Sequence, residues 1–301
     1  MLGTVAARRA RGLREAAWAY FSLTKPRIII LLLITTIPAM VLARGGWPSV
    51  WLMLVTVAGG AIVAGGANAM NCYFDRDIDN LMLRTRGRPL PAGQIEPERA
   101  AVFGIILAAA GFLMLDVFVN LLAACLTLGA FAFYVVIYTL LLKRTTPLNI
   151  VIGGAAGAMP PVVGWAAVTG TVEAPALVLF AIVVLWTPPH FWALALNYNS
   201  DYQRAGVPML PVVAGRDETR RQILLHTIAL VAVTLILPAS GAAGVIYLAA
   251  ALVLGGLFLL FALRLWSAAF GRAASALFRY SIVYLALLFV AIAVDGLVGV
   301  R

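Results

Sequence analysis

The chain has 301 residues, of which 63% are hydrophobic and only 11% charged. A soluble domain carries roughly 25% charged residues, so a water-soluble globule is excluded and a bilayer is the solvent that accepts this sequence. The net charge of +10 does not mark a nucleic-acid binder, because the basic residues lie in short loops between apolar runs.

Apolar runs and their Gly, Pro and charged punctuation predict an all-α polytopic membrane protein. A basic arm over 1–27, lacking the apolar core and cleavage site of a signal peptide, precedes one membrane domain over 28–301. Nine spans are expected near 28–44, 51–73, 100–115, 117–142, 148–168, 175–196, 222–239, 242–263 and 279–298. The run 100–142 holds one charge, Asp116, and is too long for a single span, so a turn at Asp116–Asn120 divides it. With the N-terminus inside, 20 of the 22 Lys and Arg residues fall on the cytoplasmic side and only Arg44 and Arg301 outside. That bias sets the orientation and places the C-terminus outside. Gly153, Gly154 and Gly157 in the fifth span read as close helix contacts. Cys72 and Cys125 read as small buried hydrophobes, and Asp116, Glu173 and Asp295 as outer-edge charges.

The second span ends in Asn71, Asp75, Asp77 and Asp79. Asn71, Asp75 and Asp79 recur every four residues, so on a helix they form one stripe, with Asp77 turned aside to solvent or an arginine. Two carboxylates and an amide suit Mg2+, which binds through one or two carboxylates plus substrate phosphates. A solvated helix end neutralised by arginines is the plainer reading. Three features favour the metal: the stripe continues an apolar span, three of the 12 acidic residues lie within five positions, and Arg84, Arg86 and Arg88 follow directly. Guanidinium forks beside metal-binding carboxylates are what a diphosphate needs. The sixth span ends in a matching pair, Asn197 and Asp201, each 126 residues after its counterpart. A Gly/Pro loop follows each cluster, Gly87 to Gly93 and Gly206 to Pro211. A parallel internal repeat would set the two clusters face to face across a helical bundle.

These residues resemble the UbiA superfamily of intramembrane prenyltransferases, and within it the branch that farnesylates heme. The resemblance runs over roughly residues 20–298. It is carried by Leu23 to Arg27, the Asn71 to Asp79 motif with Arg84 to Pro89, and Tyr138 to Ile150. Gly153 to Gly170, Pro189-His190-Phe191-Trp192, and Asp201-Tyr202 through Pro208 to Pro211 complete it. It implies nine helices around a central cavity that opens to the cytoplasmic side of a bacterial inner membrane. It also implies Mg2+-dependent transfer of farnesyl from farnesyl diphosphate to a vinyl group of heme b, with addition of water, giving heme O and diphosphate. Heme A synthase or oxidase-assembly proteins would then take the product.

On this resemblance Asp75, Asp79 and Asp201 are catalytic, and with Asn71 and Asn197 they hold one or two Mg2+ ions. Lys25, Arg84, Arg88 and Lys143 grip the diphosphate. Tyr138, Trp165, His190, Trp192 and Tyr202 line the heme and prenyl cavity, with Phe74 and Trp186 as further aromatic walls. The second motif departs from the quinone branch, which carries two aspartates there. Asn197 and Ala205 flank Asp201 at four-residue spacing, so the second site should hold metal weakly or share it with Asp75 and Asp79. Pro188 and Pro189 are expected to open the helix just before His190. That leaves His190 either as a heme contact or as a hydrogen bond to the broken helix, while His226 reads as packing. Two rivals remain: a UbiA-type enzyme with an aromatic or quinone-precursor acceptor, and a transporter. A transporter would carry charges inside its spans, whereas these aspartates gather at one face.

Overall fold

The computed structural model describes residues 2–266 and 270–299, and every regular element among them is helical. In chain order they are α1 Leu2–Leu23, α2 Pro26–Arg44, α3 Val50–Phe74, α4 Arg76–Leu81, α5 Pro97–Phe118 and α6 Leu121–Leu142. There follow α7 Asn149–Gly157, α8 Met159–Thr169, α9 Ala174–Asn197, α10 Asn199–Arg204, α11 Leu210–Val213 and α12 Gly215–Thr234. The chain closes with α13 Ile236–Ala239, α14 Val245–Leu263 and α15 Phe270–Val298. Eight segments are long and apolar enough to cross a membrane: α3, α5, α6, α7 with α8, α9, α12 with α13, α14 and α15. In α2 the described apolar stretch is shorter, Ile34–Arg44. Arg301, expected on the outer side, lies outside the described residues.

Large apolar side chains such as Val102, Ile105, Ile106 and Leu113 of α5 face outward. In hydrocarbon this exposure costs nothing, and helices satisfy their own backbone. Helix association there rests on close packing of small residues. The seam between α3 and α5 is built this way. Gly59 and Gly66 on α3 stand one heptad apart, as do Gly104 and Gly111 on α5. A Cβ added to Gly66 would lie 2.5 Å from the Gly104 carbonyl oxygen, and one at Gly111 2.8 Å from the Gly59 oxygen. Among the glycines of the fifth span, Gly153 faces the Tyr138 ring and Gly154 faces Thr187. Gly157 meets nothing within 4 Å, so the contact expected there does not form.

The long run divides where the sequence predicts. α5 ends at Phe118, and Asn120 caps α6 by accepting from the Ala123 N–H at 2.8 Å. Three other expectations are corrected. Asp295 is not an edge charge: it is buried and accepts hydrogen bonds from the backbone N–H groups of Gly244 and Tyr247, satisfying donors that open at the start of α14. Cys125 is exposed on the outer surface of α6, while Cys72 is buried as expected. α9 runs unbroken through Pro188 and Pro189. Both prolines are buried, and packing of α9 against α12 and α15 keeps the helix closed despite two missing N–H donors. The last ten residues of α6, Phe133–Leu142, wind as a π-helix, with the Lys143 N–H donating to the Tyr138 carbonyl.

Candidate active site

α3 ends at Phe74 and is capped by Asp75, whose φ of −90° and ψ of 1° tilt the chain into the short helix α4. The stripe survives the tilt, because the Asp79 N–H still donates to the Asp75 carbonyl at 2.8 Å. Asn71, Asp75 and Asp79 are all buried. Buried carboxylates are costly unless paired and hydrogen-bonded, and each has its cation. The Lys143 ammonium bonds Asp75 Oδ2, and Arg88 Nη1 bonds Asp79 Oδ2 at 2.7 Å. Asn71 donates from Nδ2 to Asp75 Oδ2 at 2.7 Å and to Thr139 Oγ1 at 3.1 Å, and its Oδ1 accepts from Lys25 Nζ at 2.8 Å. Asp77 stands apart as expected, exposed and held by both arms of Arg144 at 2.7 Å.

Electrostatics sort the cations. Burial lowers the pKa of Lys25, the side of a lysine that tunes easily. Burial also opposes the charge on Arg88, but Asp79 outweighs it and the pKa rises. The hydrogen bonds from Arg144 hold Asp77 below the ordinary carboxylate range. Lys25 is also the one described residue other than glycine with positive φ, at 52°. That left-handed turn costs an L-residue roughly 1–2 kcal/mol, and it aims the ammonium at the stripe. Lys25→Gly should therefore relieve backbone strain as it removes a charge. We expect a thermal midpoint within a few degrees of wild type and about tenfold weaker prenyl diphosphate binding, read by titration; unchanged affinity would remove Lys25 from the site.

The second cluster follows the same plan, a long helix, α9, handing over to a short one, α10. Asp201 is buried; its Oδ1 accepts from Arg204 at 2.5 Å and its Oδ2 from the Arg84 backbone N–H at 3.4 Å. The loop after the first cluster thus touches the second. Ile78, Met82, Tyr202, Val207 and Met209 form one buried patch between them, with Tyr138 and Phe191 packed against it. Burial raises the Tyr202 phenol pKa, so it stays a neutral hydrogen-bonding group. The Arg84 guanidinium is exposed and lies 5.5 Å from the Tyr198 ring centroid.

The four-residue stripe does not survive here. Asn197 ends α9 and is exposed, donating to the Ala193 carbonyl and to Ser275 on α15. The bend at Tyr198 takes Asn197 away from Asp201 and leaves Asn199 with a buried Oδ1 that has no partner. Trp165 and Trp192 belong to the main core rather than to the patch between clusters. Trp192 packs edge-on to His226 at 5.1 Å. Thr139 and Arg204 escaped sequence reasoning. Thr139 reaches Asn71 only because the π-helical turn of α6 rotates it there, and no 3.6-residue period reveals such a turn.

The decisive comparison is a match to the UbiA prenyltransferase family over residues 32–294. The chain belongs to that family. It is 57% identical over 93% of its length to "Protoheme IX farnesyltransferase 1" of Saccharopolyspora erythraea, covering 90% of that protein. Two solved UbiA-fold structures share the architecture. One is a digeranylgeranylglyceryl phosphate synthase, with a TM-score of 0.77 at 20% identity, spanning 94% of this chain and 99% of that one. The other is a UbiA homologue from Archaeoglobus fulgidus bound to GPP and Mg2+, with a TM-score of 0.59 at 17% identity, spanning 91% and 99%. This protein is therefore a prenyltransferase embedded in a membrane.

The Archaeoglobus fulgidus homologue is bound to Mg2+, and the donor set in this chain fits a divalent cation. Asp75 Oδ1 is fully buried, lacks a hydrogen-bond partner, and lies 4.0 Å from Arg144. A buried acceptor is costly to strand, and a docked cation would satisfy it. Among the described residues no three His, Cys, Asp or Glu side chains form a closed cage. An open set of one or two carboxylates is how Mg2+ is shared with phosphates. A cleft of about 440 Å³ is lined by Phe74, Arg76, Asp77, Thr139, Leu140 and Arg144, on the side of the cluster where Arg144 holds Asp77.

Proposed function

We propose that this chain transfers farnesyl from farnesyl diphosphate to a vinyl group of heme b, with addition of water, giving heme O and diphosphate. The close relative named for that reaction supports the acceptor. The observation that carries the donor half is the buried, cation-laced pair of aspartate clusters joined through Arg84 and Asp201. The same reading puts these clusters at the cytoplasmic face of a bacterial inner membrane, with α2 as the ninth span, the basic arm 1–27 inside and the C-terminus outside.

Asp75 and Asp79, with Asn71, would hold Mg2+ and Asp201 would help to share or add a second ion. When bound, Mg2+ neutralises charge that grows on the diphosphate as its C–O bond breaks. Lys143, Lys25 and Arg88 now sit on the carboxylate stripe. Their role is to exchange those partners for diphosphate oxygens, with Arg84 closing from the loop. Such fixed charges stabilise the leaving group without reorganising water. The farnesyl C1–O bond breaks, C1 bonds the terminal vinyl carbon, and water adds hydroxyl to the other vinyl carbon with loss of one proton. Tyr138, Phe191 and Tyr202 form the apolar wall that keeps water from the allylic cation until the new bond exists.

Purified protein incubated with heme b, farnesyl diphosphate and Mg2+ is expected to yield a heme heavier by one farnesyl and one water by mass spectrometry, and none with EDTA. Bound farnesyl diphosphate without any heme product would sink heme as the acceptor.

A further inference from the structure

We propose that His190 is an axial ligand to the iron of the bound heme through Nε2, with Ser281 fixing the tautomer that makes this possible. This assignment rests on heme being the acceptor. His190 lies on α9 and reaches across to α15, where its Nδ1 is 2.7 Å from Ser281 Oγ. The Ser281 hydroxyl has one hydrogen, and it is donated to the Phe278 carbonyl at 2.7 Å. With the hydroxyl hydrogen spent there, Ser281 Oγ is free to accept from His190, and in that tautomer Nδ1 carries the imidazole proton and Nε2 the lone pair. Metal-binding histidines are built this way, with the far ring nitrogen donating to a fixed acceptor that sets tautomer and orientation.

The ring plane is fixed as well. Trp186 stacks on His190 at 4.3 Å and 17°, and Phe278 stacks at 4.7 Å and 27°. Trp186 is itself pinned, donating from Nε1 to the Ser281 carbonyl at 2.7 Å. Two stacked rings and one hydrogen bond leave the imidazole no rotation, yet the residue is not fully buried and its one hydrogen bond among the described residues is made by Nδ1, not Nε2.

Position agrees. His190 lies seven residues before the end of α9, roughly 10 Å along the helix at 1.5 Å per residue from the point where α9 hands over to the helix that carries Asp201. Its neighbour Phe191 packs against the patch beneath the aspartates. Iron held at that depth would leave the porphyrin edge, which bears the vinyl groups, between His190 and the diphosphate site. The chain has one other histidine, His226, whose Nδ1 bonds the Gln222 carbonyl of its own helix and whose ring packs against Trp192 rather than the patch.

The test titrates ferric heme b into wild type, His190→Ala, His226→Ala and Ser281→Ala in detergent, without farnesyl diphosphate, and reads the Soret band and electron paramagnetic resonance. Wild type and His226→Ala should show histidine-ligated iron. His190→Ala should lose that spectrum while binding heme about tenfold more weakly, and added imidazole should restore it. Ser281→Ala should keep the ligand and weaken it. An unchanged spectrum in His190→Ala would overturn the ligation and leave heme as the acceptor. Wild type that binds no heme would overturn both.

Discussion

Asp75→Asn is expected to lower turnover by about 10³-fold, or roughly 4 kcal/mol of transition-state stabilisation, a size typical of losing one preorganised electrostatic partner. The substitution keeps shape and removes charge where exposure is zero. It strips the cation site of its buried, unpartnered Oδ1 and leaves Lys143, only 13% exposed, facing an amide. Stranding that ammonium carries a stability cost of about 3 kcal/mol. Activity and folding must therefore be separated. Asp75→Asn with Lys143→Met removes the stranded charge, so the thermal midpoint should recover while turnover stays lost. If Asp75→Asn alone keeps turnover within tenfold of wild type under saturating substrates, Asp75 holds no catalytic cation.

Gly66→Val is the largest stability effect expected away from the aspartates. Its new Cβ would meet the Gly104 carbonyl oxygen at 2.5 Å and the Ala108 nitrogen at 3.1 Å. Both are backbone atoms, so no rotamer relieves the clash and α3 must lift from α5. Overpacking of this kind costs about 3 kcal/mol, and in a membrane no hydrophobic gain offsets the lost packing. Because Asn71 and Asp75 lie on the next turns of α3, prenyl diphosphate binding should weaken too. Gly60→Val offers the control, since a Cβ at Gly60 meets nothing within 4 Å. Thermal unfolding of the two variants in detergent should differ sharply; equal midpoints would mean that the seam is not tight.

Much of this architecture was legible in the sequence because a bilayer makes composition decisive. A helix must hide its own backbone in hydrocarbon, so an apolar run of sufficient length is a span and a polar break is an end. Hence the break before Asn120, the helical spans and the stripe of Asn71, Asp75 and Asp79 followed from residue order alone. The four-residue spacing separated Asp77 from its neighbours, and the structure pairs it with Arg144.

What residue order left open depends on contacts between distant segments and on departures from the ideal helix. The bend at Tyr198 takes Asn197 out of register with Asp201, and the π-helical turn of α6 brings Thr139 to Asn71. Asp295 reads as an edge charge until two backbone donors 48 and 51 residues away converge on it. The ring of His190 is held by Ser281, 91 residues further along the chain. Local sequence fixes a helix and its faces; which nitrogen carries a proton, and which carboxylate is buried beside which cation, is decided when the helices pack.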